Sequence, residues 1–343
     1  MSSAAVFDQP IFNLLTVIIT TSPTPSAPST ELISAILSSF RSYCKVLLSC
    51  RIIIVFDTYD RISTHARLKK GQVTPEGART FHLYKENVKA LALRELNCAG
   101  HAQDLRRGQG EAEFGYSGVE ANSIPFSTWS TADKRIIFIE PSKRLGFGLA
   151  IRSALRLTET PFVWVQQHDW PLVSDIPVES LLNIMQLTEC DKRNPVKYVC
   201  LPSIRLLSYA DSAHVMEYPM LKAFTASLKR DFITESGTRI PLTPMFFWHD
   251  KPHIASTEHY LSRIFPTRLS MLRGGFIEDT IGQRARNQMK DGEWAKWATW
   301  LYYPDNGLRL CLRHLRGRTW EGTEKELKKK AAWIERNAKQ TVR

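Results

Sequence analysis

Five places along the chain carry side chains that could do chemistry: Thr20-Thr21, Asp57, Gln167-His168-Asp169, Glu278-Asp279 and His314. Three of them stand directly after apolar, strand-like runs. In open α/β sheets, ligands bind beyond the carboxyl ends of the strands, so Thr20, Thr21, Asp57 and Gln167 to Asp169 should face one crevice. A carboxylate such as Asp169 in that crevice can hold a divalent cation. A second carboxylate, Asp279, would have its pKa raised by partial burial and could then take a proton from an attacking hydroxyl. His314 would offer a nitrogen ligand, which suits Mn²⁺ better than Mg²⁺. Each group also has a plainer use. Asp57 and Asp169 could be turn or cap residues, Glu278-Asp279 an N-cap pair for a helix through Gln283 and Ala285, and His314 a packing residue.

The elements that must position these groups are legible in outline. Leu14 to Thr20 is a β-rich apolar run, closed by the Pro/Ser/Thr cluster Thr21 to Ser29. Leu32, Ile33, Ile36, Leu37 and Phe40 then recur at helical spacing, and a second apolar strand, Ile52 to Phe56, stops at Asp57. Thr74-Pro75-Glu76 opens a long helix with Phe81, Tyr84, Val88 and Leu91 on one face and Gly100 near its end. Gly100 to Ser130 shows neither period and reads as an irregular insertion. Strands at Ile136 to Ile139 and Phe162 to Val165 flank a helix from Gly146 to Leu157, and this alternation predicts a largely parallel, doubly wound sheet.

The second half is less regular. A helix near Val178 to Leu187 and a strand near Lys197 to Leu201 precede a proline- and aromatic-rich stretch from Tyr218 to His253, whose segment Phe246 to Asp250 would suit an acceptor-site wall. Thr299 to Tyr303 and Leu308 to Leu312 flank Pro304-Asp-Asn-Gly307, a hairpin signal that would deliver His314 to its far end. From Glu321 a basic helix carries Leu327, Ala331 and Ile334 as a packing stripe. Trp294, Trp297 and Trp300 fit core packing better than a sugar-stacking role. No Gly-x-Gly-x-x-Gly or Walker A motif follows the first strand. Gly237-Thr-Arg239, which looks like a sugar-nucleotidyltransferase signature, sits mid-chain instead of after that strand.

In this order the elements resemble the GT-A glycosyltransferases of the family-2 kind: a strand ending in Thr-Thr, a serine/proline loop and helix, then a strand ending in Asp57. Gly146-Phe-Gly-Leu-Ala-Ile-Arg152 is similar to the family's Gly-x-Gly-x-Ala-x-Arg/Asn helix. Gln167-His168-Asp169 stands at the Asp-x-Asp motif, with Gln167 in place of the first acid. Gly274-Gly-Phe-Ile-Glu278-Asp279 resembles the Glu-Asp element whose aspartate is the base, and His314-Leu-Arg-Gly-Arg-Thr319 the C-terminal histidine segment. The resemblance implies a single GT-A-like (Rossmann-like) α/β domain over 1–343 with a mostly parallel central sheet, a C-terminal β-hairpin and a basic helix. Residues 12–175 would bind the nucleotide-sugar, 176–320 would form the acceptor and catalytic half, and 321–343 the basic helix. It implies a hexosyltransferase-like enzyme, inverting by direct displacement, that moves a sugar from a nucleoside diphosphate donor such as a UDP-sugar to a hydroxyl acceptor. Mg²⁺ or Mn²⁺ would sit at Asp169 and His314, with Asp279 and Glu278 as the catalytic carboxylates, Asp279 being the base. Thr20, Thr21, Asp57, Arg152, Gln167 and His168 would contact the donor, Asp57 at its base or ribose, and Arg316 and Arg318 could share the phosphate charge.

Composition sets outer bounds. At 343 residues, 43% of them hydrophobic, the chain can bury a large core. Its longest apolar runs fall short of the ~20 residues of a membrane span, and the N-terminus lacks a basic n-region followed by a cleavage site, so a cytoplasmic protein is expected. Six scattered cysteines without a C-x-x-C pair argue against zinc knuckles, redox motifs and a disulfide framework. The net charge of +12 favours an anionic partner: a nucleotide, nucleic acid, or a membrane surface touched by the basic C-terminal helix. No helix-turn-helix, zinc or RNP-type signature supports specific nucleic-acid binding. A catalytically inactive nucleotide-sugar-binding or scaffolding protein of the same fold is the alternative to the enzyme.

Overall fold

The structure is a computed structural model that describes residues 9–65, 68–96, 105–234 and 237–341, those from 336 on as backbone only. Among the described residues thirteen strands form: β1 (Leu15–Thr21), β2 (Arg51–Phe56), β3 (Arg61–Ile62), β4 (Gln72–Val73), β5 (Arg106–Glu113), β6 (Ser123–Ser130), β7 (Ile136–Pro141), β8 (Phe162–Gln167), β9 (Tyr198–Cys200), β10 (Arg230–Ile233), β11 (Arg239–Pro244), β12 (His253–Ser256) and β13 (Thr299–Tyr302). Eleven of them make one sheet in the order β10-β11-β13-β9-β12-β8-β1-β2-β7-β6-β5, while β3 and β4 pair with each other. At its centre β8, β1, β2 and β7 run parallel. Mostly antiparallel strands extend this α/β core on both flanks.

The parallel core follows from the apolar runs. All seven residues of β1 are buried, because neighbours on both edges and helices on both faces leave no polar side. From β1 the chain crosses through helix Glu31–Tyr43 to β2 on one side, and from β7 it returns through helix Phe147–Leu155 to β8 on the other. Right-handed crossovers in opposite directions put these two helices on opposite faces and make the β1/β8 boundary the point where the strand order reverses. Leu32, Ile33, Ile36, Leu37 and Phe40 are the buried face of the first helix. In helix Pro75–Glu95, Thr74 Oγ1 accepts the Gly77 amide at 3.0 Å and Pro75 occupies the first turn. Gly100, expected near its end, lies outside the described residues.

Three expectations are corrected. The described part of the stretch read as irregular, 105–130, holds β5 and β6, an antiparallel pair at the edge of the sheet. Its period was hidden because Gly108 and Gly110 stand where Thr128 and Phe126 fill the face: a Cβ at Gly110 would lie 2.5 Å from the Phe126 ring. The C-terminal hairpin does not form. β13 already has β11 on one edge and β9 on the other, which leaves no free edge for Leu308 to Leu312. The turn signal itself is real, with Asp305, Asn306 and Gly307 all at positive φ, but Leu312 bridges to Leu172 and Ser203 instead. Finally, helix Thr323–Thr341 leaves Leu327 and Ile334 exposed instead of packed, and is held at its start by Thr323 on Glu31.

Trp294, Trp297 and Trp300 are fully buried, in keeping with core packing, and the Trp294 and Trp300 rings meet edge to face. Gly237 sits at positive φ between β10 and β11, where Thr234 and Thr238 exchange hydrogen bonds, so the Gly-Thr-Arg run is a hairpin turn. Among the described residues the five cysteines are free, and no helix is long and apolar enough to cross a membrane.

One backbone crossing ties the two halves of the chain together. Gly146, at φ +81°, lies so close to Gly274 that a Cβ there would sit 2.4 Å from the Gly274 Cα. The Gly274 amide donates to Leu145 O at 2.7 Å and the Gly148 amide to Gly275 O at 3.1 Å. Gly146→Ala should therefore cost about 3 kcal/mol or more in chemical denaturation, strain and collision together. Gly118→Ala, at φ +80° in open space, should cost only the strain of about 1–2 kcal/mol. Equal losses at the two positions would show that the crossing carries no energy of its own.

Candidate active site

The carboxyl ends of β1, β2 and β8 open into one cleft at the strand-order reversal. Its lining includes Thr20, Thr21, Asp57, Gln167, His168 and Asp169 from these strand ends. His168 is buried. Its Nδ1 lies 2.7 Å from Thr21 Oγ1, and burial holds its pKa below the ordinary imidazole value. Gln167 Nε2 donates to Asp250 O at 2.7 Å, which fixes its amide.

Asp169 and His314, 145 residues apart, come side by side: His314 Nε2 is 3.0 Å from Asp169 Oδ2, and the Gly317 amide donates to the same oxygen at 2.8 Å. The Leu315 amide donates to the Asp169 carbonyl, so the segment 314–317 is strapped across the end of β8 from both sides. A Cβ at 317 would fall 2.5 Å from His168 Nε2, so any larger residue there must displace the imidazole. The His314 ring stacks on Trp170 with centroids 4.2 Å apart. Burial alone would raise the Asp169 pKa; the His314 hydrogen bond, the two imidazoles and the Gly317 amide outweigh it and hold it below the usual range. One carboxylate and one imidazole are the donor set that a divalent cation can share with phosphate oxygens. Among the described residues no group of three His, Cys, Asp or Glu converges, so such an ion would take its remaining ligands from the bound molecule.

Not every expected residue reaches the cleft. Arg152 is buried on the far side of its helix, where Nη1 donates to Glu113 O at 2.9 Å, and it stays out of the lining. It sits in the last turn of an all-buried helix, so the residue type suggested a phosphate ligand while its direction followed the helix face. Asp57 lines the cleft, but its two oxygens take the Leu145 and Gly146 amides at 2.7 and 3.0 Å. It shapes the turn into helix Phe147–Leu155 more than it offers a free acceptor to a nucleotide. Glu278 stays out of the lining, 3.5 Å from His249 Nδ1, and Glu278 and Asp250 each donate a backbone amide to the other's carboxylate. Phe246 and Trp248, read as an acceptor wall, are buried.

Glu278 and Asp279 lie in a π-turn, Glu278–Gly282, that runs on into helix Gln283–Lys290; both acids are thus in a first turn, where the helix dipole favours them. Asp279, expected to be partly buried, is instead exposed, and neither it nor His314 is in the cleft lining; it reaches the cleft only through Lys70, whose Nζ lies 3.1 Å from Asp279 Oδ2 and which lines the cleft beside Phe276. Phe276 stacks on Phe147 at 5.8 Å. The sequence reading missed this wall: Lys69, Lys70, Arg144 and Tyr59. The available signal was Lys69-Lys70-Gly71, two cations and a glycine at φ +75° shortly after a strand that ends in a candidate site residue. Arg318, already expected to share phosphate charge, is in the lining, while Arg316 is outside it and takes a left-handed turn conformation at φ +58°.

No family model and no curated protein matches the chain. Solved structures that resemble it include S. aureus TarS, with 10% identity over 87% of this chain and 36% of that one and a TM-score of 0.39. A UDP-glucose pyrophosphorylase complexed with UDP-glucose gives 12%, 80%, 88% and 0.34 in the same terms. Glucosyl-3-phosphoglycerate synthase from Mycobacterium tuberculosis, in complex with Mn²⁺, UDP-glucose and phosphoglyceric acid, gives 12%, 74%, 60% and 0.26. At these TM-scores none of the likenesses decides what this chain does.

Asp57 supplies a pH test of the cleft's construction. Burial pushes its pKa up to about 6, against the pull of its amide partners and Arg144. Because folding raises this pKa, the Asp57 contribution to stability is fully present below about pH 4 and is lost as the pH rises through about 6. The stability gap between the native protein and Asp57→Asn, from urea unfolding, should therefore narrow between pH 4 and pH 7. A gap that widens over that range would mean that the amide bonds outweigh burial.

Proposed function

We propose that this protein is a glycosyltransferase that moves a sugar from a nucleoside diphosphate donor to a hydroxyl acceptor with inversion at the anomeric carbon. One observation carries the reading: Asp169, read as the leaving-group carboxylate, and Lys70, which holds the proposed base Asp279, line the same cleft at the strand-order reversal. The surrounding chemistry agrees with that assignment. Lys69, Lys70, Arg144 and Arg318 make the cleft cationic, as a diphosphate requires, and Tyr59, Phe147 and Phe276 give it aromatic surface for a base or sugar ring.

In the proposed step the acceptor oxygen attacks the anomeric carbon, the bond from that carbon to the diphosphate oxygen breaks, and the electron pair departs with the diphosphate. Asp279 takes the acceptor proton. Asp169 and His314 would hold a divalent cation shared with the diphosphate, and such an ion would supply positive charge against the leaving group. The basic side chains carry the rest of that load in a partly enclosed site, where fixed charges act more strongly than in water. Thr20, Thr21 and His168 would shape the donor floor. A second reading, donor binding without turnover, rests on Gln167, whose amide is committed to the Asp250 carbonyl and adds no acid to Asp169.

A panel of nucleotide-sugars incubated with Mn²⁺ should show donor-dependent release of nucleoside diphosphate. Asp279→Asn should lower turnover by about 10²–10⁴-fold at unchanged melting temperature. Donor binding without turnover in the native protein would select the second reading, and full activity of the variant would remove Asp279 as the base.

A further inference from the structure

Among the described residues, Lys70 is the one cation of the cleft that also touches a proposed catalytic carboxylate. Its Nζ lies 3.1 Å from Asp279 Oδ2 and 4.2 Å from the centre of the Phe276 ring, and both Lys70 and Phe276 line the cleft. Arg144 is committed elsewhere, to Asp60 at 3.1 Å and to Gly274 O at 3.4 Å. The segment that carries Lys70 is anchored close by. Asp60 binds both Arg144 and Arg273, and the Asp60 and Arg61 amides both donate to Gly71 O, so the backbone beside Lys70 is fixed. The lysine side chain is not: it is 48% exposed and Asp279 is 56% exposed. An ion pair in such a setting is worth little, on the order of 0–1 kcal/mol, and is easily exchanged for a stronger one.

We propose that Lys70 is a two-position cation, which holds Asp279 in one position and a phosphate of the donor's diphosphate in the other. The proposal rests on the glycosyltransferase reading and adds a coupling to it. In the ion pair the ammonium occupies Asp279 Oδ2, so that oxygen is closed to an acceptor proton. A diphosphate carries more negative charge than a carboxylate and offers more oxygens, so it draws the ammonium away. Arrival of the donor thereby strips Asp279 of its partner, and the base becomes available when there is a sugar to transfer. The four-carbon stem of lysine makes the swap feasible without backbone movement, and the flat Phe276 face gives the ammonium an attractive surface to cross.

A binding cycle tests the exchange without any need for turnover. Inorganic pyrophosphate is titrated calorimetrically, in EDTA at low salt, into the native protein, Lys70→Met, Asp279→Asn and the double variant, each checked by thermal unfolding. Lys70→Met should weaken binding about tenfold, and Lys70→Arg should restore most of it. Asp279→Asn should tighten binding about threefold, because the competitor for Lys70 is gone. In the Lys70→Met background the same Asp279→Asn change should have no effect. An equal tightening in both backgrounds would mean that Asp279 acts on the anion through space, and would overturn the exchange. Native binding that survives Lys70→Met unchanged would overturn it as well. No pyrophosphate binding to the native protein would instead overturn the reading of the cleft as a diphosphate site.

Discussion

The close approach of two glycines, Gly146 and Gly274, is the constraint on which the rest of the site depends. It lets the turn before helix Phe147–Leu155 lie against the segment that leads into Glu278 and Asp279. Any side chain at 146 would hold the two backbones apart, and Phe147 and Phe276 could no longer stack across the cleft. A second glycine crossing does similar service at the other end of the site, where Gly317 passes over His168 and brings His314 onto Asp169. Sequence-distant chemistry is thus assembled by backbone contacts that need the absence of a Cβ.

Asp57 belongs to the same machinery. By accepting the Leu145 and Gly146 amides it fixes the turn that makes the first glycine crossing, so the carboxylate at the end of β2 stabilises the frame of the cleft. Asp169, at the end of β8, is also bound by a backbone amide, but an imidazole shares its oxygen and its segment faces the opening. Two aspartates at equivalent strand ends therefore do different work, and the difference lies in what the chain brings to them from elsewhere.

Much of the frame was legible in the residues. The apolar runs of β1, β2, β7 and β8 and the helical spacing of Leu32 to Phe40 are local patterns, and they fixed the parallel core together with the cleft at its strand ends. Where the reading failed, long-range contacts decided. The hairpin at Pro304 to Gly307 has the right turn chemistry, yet β13 was already paired on both edges. β5 and β6 hid their alternation behind glycines that face bulky partners. Arg152 has a phosphate-binding side chain, but its place on the helix turns it to Glu113. The basic wall of Lys69, Lys70 and Arg144 was missed because its one local signal, Lys69-Lys70-Gly71, does not say which cavity the cations border.

The central claim is that the segments of Asp169 and Asp279 serve a single donor site. Its most direct test is a crystal structure of the native protein soaked with uridine diphosphate and Mn²⁺. The expected result is a diphosphate lying between the Asp169–His314 pair and Lys70, with its nucleoside toward the ends of β1 and β2. A nucleotide bound elsewhere on the surface, with this cleft empty, would contradict the account.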